Sequence, residues 1–216
     1  MNSIYAVLTG DLISSRDHSA AQVDAALNCL REASERIPRH HPDFSPRFTR
    51  HRGDGWQMIC LPRHALTACL VLMAALRAAD IGLKTRVAVG VGPMPPLSTE
   101  DLSAAHGRAF EISGDLLDKL SRQRGPETIM IDGDGNYLWQ KGIFSLTDWI
   151  VQGWTAQQAE AVLLALTDIL TNAERARSLG ISRQAFEARL KGSGLDSMER
   201  ARSAFLEWDP EKAITC

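Results

Sequence analysis

The amino-acid sequence changes its pattern of apolar residues about two-thirds of the way along the chain. Up to residue 131, short apolar runs rich in β-formers alternate with segments of helical period. After Trp139 no strand-like run follows, and segments of helical period continue. A chain of 216 residues has room for one medium domain and one small one. We therefore expect a mixed domain over residues 1–152 and a helical domain over residues 153–216.

The first domain shows a regular order of predicted strands and helices. We expect strands over residues 4–9, 47–52, 56–61, 84–92 and 127–131, and helices over residues 20–37, 63–79 and 102–122. Three prolines within residues 38–46 mark a loop, and Asp54 between two glycines marks a hairpin turn. The core order β-α-β-β-α-β is typical of ferredoxin-like folds, in which helices cover one face of an antiparallel sheet. The expected fold class is α+β, a ferredoxin-like domain followed by an all-α helix-turn-helix domain.

Composition limits the classes of partner. The net charge is −2, so any contact with nucleic acid must come from a local patch. The four cysteines form no CxxC pair, and Cys29, Cys60 and Cys69 lie in apolar runs. This cysteine usage predicts a protein of the reducing cytoplasm that has no structural metal cluster. No signal peptide and no apolar run long enough for a bilayer are evident, so we expect a cytoplasmic protein that does not bind membranes.

Residues 172–191 have the spacing of a helix-turn-helix unit. Ala176 is the small residue needed where two helices cross steeply, and Gly180 tolerates the positive φ of a tight turn. Ile181 fills the junction, and Ser182 caps the second helix. The same spacing also suits a helical hairpin used for packing or dimerisation, and that alternative stays open.

The outward side of the second helix carries the residues that we predict to contact DNA. They are Ser182, Arg183, Gln184, Glu187, Arg189 and Lys191. Arg and Gln side chains suit the edges of bases. Residues 171–202 contain seven Lys or Arg and four Asp or Glu, a local excess of positive charge that attracts phosphate. Since such units usually bind two half-sites as dimers, we expect a homodimer.

Two aspartates of the first domain predict a metal site. Asp11 ends the first strand, and Asp54 lies at the tip of the hairpin. In a β-α-β-β arrangement these two positions reach the same rim of the sheet, where two carboxylates repel unless a cation lies between them. Mg²⁺ prefers such oxygen ligands and often shares them with a phosphate. The alternative is structural, because Asp54 suits a turn and Asp11 suits a cap.

Residues beside the two aspartates predict a phosphate site. They are Gly10, Ser14, Ser15, Arg16, Gly53 and Gly55. Glycines let the backbone approach a phosphate closely, and amide, hydroxyl and guanidinium groups bind anions. The expected ligand is a nucleotide or a phosphorylated small molecule.

Four segments together resemble one protein family. Residues 9–16, TGDLISSR, resemble the opening GDI-x-x-SR motif of the SatD family, and residues 52–55 resemble its second motif. Residues 86–92 resemble its R-x-G-I-G-x-G strand, and residues 106–110 resemble the start of its next helix. That family is similar to the palm domain of class III nucleotidyl cyclases and diguanylate cyclases. There, an aspartate of the first strand and one of the hairpin bind two metal ions that activate a nucleoside triphosphate.

The resemblance implies roles for individual residues. Asp11 and Asp54 would be metal ligands, the Leu12 carbonyl would be a third, and amides around Ser14 and Ser15 would hold phosphate. Class III cyclases also place an Asn and an Arg on a later helix. The nearest stretch here has acidic residues instead, Glu111 and Asp115. Because acidic groups repel a triphosphate, the resemblance does not by itself imply cyclase activity.

Three interpretations of function follow. The preferred one is a transcription regulator with a nucleotide-binding sensor domain, Mg²⁺ and a DNA-binding helix-turn-helix. The second is a divergent nucleotidyl cyclase or nucleotidyltransferase that uses Asp11 and Asp54. The third is a degenerate palm domain that serves only as a dimerisation scaffold.

Other residues favour structural roles. Arg86 suits a salt bridge at the end of its strand more than a phosphate contact. Four tryptophans, Trp139, Trp149, Trp154 and Trp208, are expected to pack the junction between the two domains.

Overall fold

The structure is a computed structural model that describes residues 3–37, 47–51, 53–96, 102–123 and 125–210. The loop predicted from the prolines of residues 38–46 and the motif residue Arg52 lie outside the described residues. The described part contains five strands and eight α-helices. They are β1 (Ser3–Ile13), α1 (Ala20–Arg36), β2 (Arg47–His51), β3 (Gly55–Cys60), α2 (Ala65–Ala78), β4 (Lys84–Met94), α3 (Arg108–Arg122), β5 (Ile129–Gly133), α4 (Leu138–Gln152), α5 (Ala156–Thr167), α6 (Asn172–Ser178), α7 (Arg183–Ser193) and α8 (Leu195–Leu206).

The predicted elements are present, with some differences at their ends. The helix expected over residues 102–122 begins only at Arg108, because Gly107 has a φ of 137° that no helix accommodates. Strand β1 continues past Thr9 to Ile13, so it carries Asp11 within the sheet. Helices α4 and α8 were not predicted.

All five strands form one sheet in the order β2-β3-β1-β4-β5. Strand β1 lies at its centre and pairs antiparallel with both β3 and β4. Strand β5 pairs parallel with β4. The mixed α/β fold expected from the sequence is confirmed.

Helices α1 and α2 of the β-α-β-β-α-β core cover one face of the sheet, as expected, and α3, which follows β4, covers the other face. Alternate β1 residues such as Leu8 and Leu12 lie in the main core with α1 and α2. Val7 points the other way and packs with Ala109 of α3. The reason is the parallel pairing of β4 and β5, which needs a crossover helix, here α3, that packs back onto the sheet.

The C-terminal helices share the main core. Trp154, Ala159 and Val162 belong to the same buried cluster as the α2 residues against which α5 packs. Helix α4 ends at Gln152. The domain boundary at residues 152 and 153 stays a prediction.

The tryptophans divide into packed and exposed residues. Trp139 and Trp208 stack edge-to-face on Phe205 of α8, with ring centroids 5.0 and 5.4 Å apart. Trp154 is buried, and its Nε1 donates to the Ser193 carbonyl at 2.8 Å. The expectation that Trp149 packs was wrong, because Trp149 is 78% exposed.

No helix within the described ranges combines the length and apolar character that crossing a bilayer requires.

Candidate functional site

Asp11 lies where the central strand meets both of its neighbours. It is opposite Gly55 of β3 and Arg86 of β4 in the strand register. One nitrogen of Arg86, Nη1, donates to both carboxylate oxygens of Asp11, each at 3.0 Å. The salt bridge predicted for Arg86 is therefore present. Both side chains are about three-quarters buried, with 26% of Asp11 and 23% of Arg86 exposed.

Asp54 lies beside the same end of β1. The Leu12 amide donates to the Asp54 carbonyl at 3.3 Å, which fixes the hairpin turn against the central strand. The Ser15 hydroxyl donates to the Asp54 carboxylate. The preceding Gly53 has a φ of 79°, the left-handed conformation that favours glycine in a turn.

The two carboxylates influence each other electrostatically. Burial raises the pKa of Asp11 most strongly, and the negative charge of Asp54 raises it further. The Arg86 guanidinium acts in the opposite direction but does not cancel these effects. A positive charge placed between the carboxylates would relieve this repulsion.

The oxygen donors at this rim are of the kind that Mg²⁺ binds. Asp11 and Asp54 supply carboxylate oxygens, and Mg²⁺ commonly takes only one or two carboxylates, completing its shell with water and phosphate. Within the described ranges, no three or more His, Cys, Asp or Glu side chains group into a metal site. The donor set fits a metal shared with a ligand. The role of the Leu12 carbonyl stays a prediction.

An open cleft of about 440 Å³ lies on the α1 side of the hairpin turn. It is lined by Ser15, Arg16, His18, Ala20, Val23, Asp24, Arg50, Gly53 and Asp54. The lining includes three of the six residues predicted to bind phosphate, together with one predicted metal ligand.

The sequence did not identify three polar residues of this cleft. Arg50 Nε donates to the Gly53 carbonyl at 2.8 Å, and its Nη1 pairs with Asp24 at 2.7 Å. His18 Nδ1 lies 3.1 Å from the Ser14 carbonyl. Because β2 and α1 are far apart in sequence, no local motif predicts this contact between Arg50 and Asp24.

The other predicted phosphate residues do not line the cleft. A Cβ on Gly10 would lie 2.4 Å from the Trp56 ring, and one on Gly55 would lie 2.5 Å from the His51 carbonyl. Packing within the sheet therefore already requires both glycines. Ser14 adopts a left-handed turn with a φ of 56°. The phosphate contacts of these three residues stay predictions.

The helix-turn-helix segment folds locally as its spacing indicates. Gly180 has a φ of 66°, and the Ile181 amide donates to the Ala176 carbonyl at 3.0 Å. Ser182 caps α7 by accepting from the Ala185 amide at 3.1 Å. Phe186 is fully buried and packs with apolar residues of α5 and α6. The two local helices, the turn and the cap are present, whereas their assignment as a helix-turn-helix domain and its binding to DNA stay predictions.

The residues predicted to contact DNA differ in their surroundings. Ser182, Gln184 and Lys191 are exposed. Arg183 is exposed and pairs with Glu187 at 2.7 Å on the same helix. Arg189 points back towards α5, where it pairs with Glu160 at 3.0 Å. The exposed end of α7 is therefore the part that a duplex can reach most easily.

No protein-family model matches the sequence, and no curated protein matches it. Among the solved structures that the chain resembles are three of bacterial adenylyl cyclases. One structure of a bacterial light-regulated adenylyl cyclase is 13% identical, with a TM-score of 0.42 over 61% of this chain and 76% of that one. A second is 14% identical, with a TM-score of 0.44 over 61% of this chain and 43% of that one. The adenylyl cyclase CyaB from P. aeruginosa is 14% identical, with a TM-score of 0.39 over 55% of this chain and 73% of that one. Likenesses at these scores carry no conclusion about activity.

Proposed function

We propose that this chain is a SatD-like regulator whose cyclase-like, ferredoxin-like palm domain binds a nucleotide or another phosphorylated ligand together with Mg²⁺. We also propose that its C-terminal helix-turn-helix binds DNA. The observation that carries the ligand site is the meeting of Asp11 and Asp54 at one end of β1. The negative charge of Asp54 raises the pKa of Asp11, so a cation between the two carboxylates would be favoured there.

The surrounding residues suit a phosphorylated ligand. Arg16 lines the cleft and makes no ion pair with any other described residue, so its guanidinium can meet a phosphate. Ser15 adds a hydroxyl, and Gly53 adds backbone without a side chain. Mg²⁺, when bound, would neutralise the carboxylates of Asp11 and Asp54 and polarise phosphate oxygens.

The test of the ligand site is calorimetric titration of the full chain with a nucleoside triphosphate in the presence and absence of Mg²⁺. We expect binding that needs the metal and that weakens at least about tenfold in Asp54→Asn, since this change removes one charged ligand. The matched control is Asp118→Asn, an exposed aspartate of α3 whose ion-pair partner among the described residues is Arg122. It should bind as the unaltered chain does.

The outcome also separates the three interpretations of function. Binding without turnover supports the regulator. Binding with turnover that Asp54→Asn abolishes would favour a nucleotidyl cyclase or nucleotidyltransferase. If no triphosphate or phosphorylated compound binds with the metal, the ligand site is refuted, and a scaffold becomes the better explanation.

The DNA-binding proposal rests on the exposed end of α7. Ser182, Arg183 and Gln184 are exposed at its N-terminal end, and a recognition helix reads bases with its N-terminal residues, whereas Lys191 is exposed in its last turn, where it can meet a phosphate. We expect duplex binding that falls steeply with salt and is lost in Arg183→Ala, while Lys191→Ala reduces the salt slope by about 1. Arg122→Ala on α3 is the control. Duplex binding that Arg183→Ala leaves unchanged would refute this assignment.

A further inference from the structure

The outward face of α4 carries large apolar side chains in solvent. Leu138, Leu146 and Trp149 expose 74%, 67% and 78% of their surfaces. On the opposite side of the same helix, Phe144 and Val151 lie in the main core. Contiguous exposed apolar surface marks a contact site more often than a free surface.

Helix α4 is held firmly in place. The buried Asp148 carboxylate accepts from the Thr128 amide at 2.7 Å and from the Thr128 hydroxyl at 2.5 Å, which ties the helix to the start of β5. Lys141 pairs with Asp132 of β5 at 2.8 Å. The apolar face is therefore presented in a fixed orientation.

The exposed residues follow the spacing of a helix–helix seam. Leu138, Gly142, Ser145 and Trp149 are separated by four, three and four residues, the alternation of positions a and d in a coiled coil. This spacing reads the same in both directions about a midpoint between residues 143 and 144. A seam of this kind fits an antiparallel copy of itself across a two-fold axis.

The side chains at matched positions are complementary in size. In the antiparallel arrangement, Leu138 faces Trp149 of the second copy, and Gly142 faces Ser145 of the second copy. The two small residues meet at the crossing point, where they let the helix axes approach closely. A Cβ at Gly142 would meet no atom within 4 Å in its own chain, so the space above this position is open.

Charge does not oppose this contact. The Lys141 ammonium is already neutralised by Asp132, with which it pairs at 2.8 Å. Among the described α4 residues on this face, Lys141 is the only charged one. An uncharged apolar seam fits an identical seam better than it fits a charged partner.

We propose that the outward face of α4 is the surface on which a second copy of this chain packs, antiparallel and across a two-fold axis. The contact is small, because α4 has 15 residues and is about 22 Å long. Two of its four seam positions are small residues, so the buried area falls below the roughly 1,600 Å² of a standard interface. The dimer is therefore concentration-dependent. This proposal does not depend on the ligand or on DNA.

The first test is sedimentation velocity of the full chain over a wide concentration range. The unaltered chain should pass from monomer to dimer, and Trp149→Ser should weaken the dimer at least about tenfold, because it removes the largest apolar side chain of the seam. Gly142→Leu should do the same by filling the crossing point. It should not lower the melting temperature, because the space around Gly142 is open and leucine favours a helix.

The control is Ile169→Ser, which removes an apolar side chain of similar exposure (79%) outside α4. It should leave the dimer unchanged. A chain that stays monomeric throughout, or a dimer that survives both α4 substitutions, would overturn the proposal.

Disulfide trapping tests the orientation. In a chain with Cys29→Ser and Cys216→Ser, Gly142→Cys is mixed with Ser145→Cys under added copper-phenanthroline, which accepts the two electrons released as the thiols join. The antiparallel contact predicts that each variant links to the other more readily than to itself. Preferential self-linking of Ser145→Cys would indicate a parallel contact and contradict the proposal.

Discussion

Replacing Arg86 by methionine tests the electrostatics of the candidate site without touching either aspartate. Arg86 supplies the one ion pair observed for Asp11 among the described residues. Its loss leaves a carboxylate that is mostly buried and still repelled by Asp54. We expect the folded state to be destabilised at neutral pH, and we expect the pKa of Asp11 to rise further.

The exposure of the pair sets the magnitude. Breaking a fully buried ion pair costs about 3–5 kcal/mol, whereas an exposed pair contributes roughly 0.2–1 kcal/mol. Asp11 and Arg86 are 26% and 23% exposed, so an intermediate loss of about 2 kcal/mol is expected. For a chain of this size, that loss lowers the melting temperature by about 4–8 °C.

The pH dependence identifies the cause. The pKa of Asp11 is already raised above its ordinary value of 3.8, so its charged form disfavours folding. In Arg86→Met the unfolding free energy is therefore reduced by the full amount at pH values above the raised pKa of Asp11. The reduction becomes smaller as the pH falls below that pKa towards 3.8. Urea unfolding at neutral pH and at mildly acidic pH measures this change as a difference from the unaltered chain.

A matched substitution separates this effect from the loss of an arginine. Arg122→Met breaks an ion pair with Asp118 in which the side chains are 80% and 70% exposed. It should cost at most about 0.5 kcal/mol at any pH. If Arg86→Met proves equally mild, or if its cost does not shrink in acid, the description of Asp11 as a mostly buried carboxylate repelled by Asp54 is wrong.

Two further predictions concern packing. Gly10→Ala places a methyl group 2.4 Å from the Trp56 ring and should cost about 1–3 kcal/mol of unfolding free energy, whereas Gly114→Ala in α3 meets nothing within 4 Å and should stabilise slightly. Thermal unfolding compares the two, and equal melting temperatures would contradict the packing reason for Gly10. Phe186→Ala should lower the unfolding free energy by about 3–5 kcal/mol because Phe186 is fully buried, while the exposed Gln184→Ala should change it by less than about 0.5 kcal/mol. Urea unfolding measures both, and a neutral Phe186→Ala would show that α7 is not anchored through this ring.

The sequence predicted best where local chemistry decides the structure. The hairpin around Asp54 and the cap and turn of α7 depend on residues within a few positions of one another. The meeting of Asp11 with Asp54 also followed from the element order, since β-α-β-β connections place the first and third strands side by side. What the order could not predict was the ion pair between Arg50 and Asp24, which depends on how α1 lies against β2.

The sequence pattern did not by itself predict that α3 covers the second face of the sheet. Strand β4 has no polar side chain from Val87 onward, which fits a strand buried on both faces. That signal was present in residues 84–92, but the ferredoxin-like order alone implies that one face is open. The parallel crossover from β4 to β5 needed a helix on the second face, and α3 was already predicted between those strands.

Helix α4 was missed for a reason that bears on its use. Large apolar residues lie on its solvent side as well as on its core side, with Phe144 and Val151 in the core and Leu138 and Trp149 in solvent, so the apolar pattern does not show which side is buried. In one copy of this chain only the inner side of α4 is covered. The ambiguous pattern and the seam proposed for a second copy therefore have one physical cause, a helix that carries large apolar residues on both its inner and its outer side.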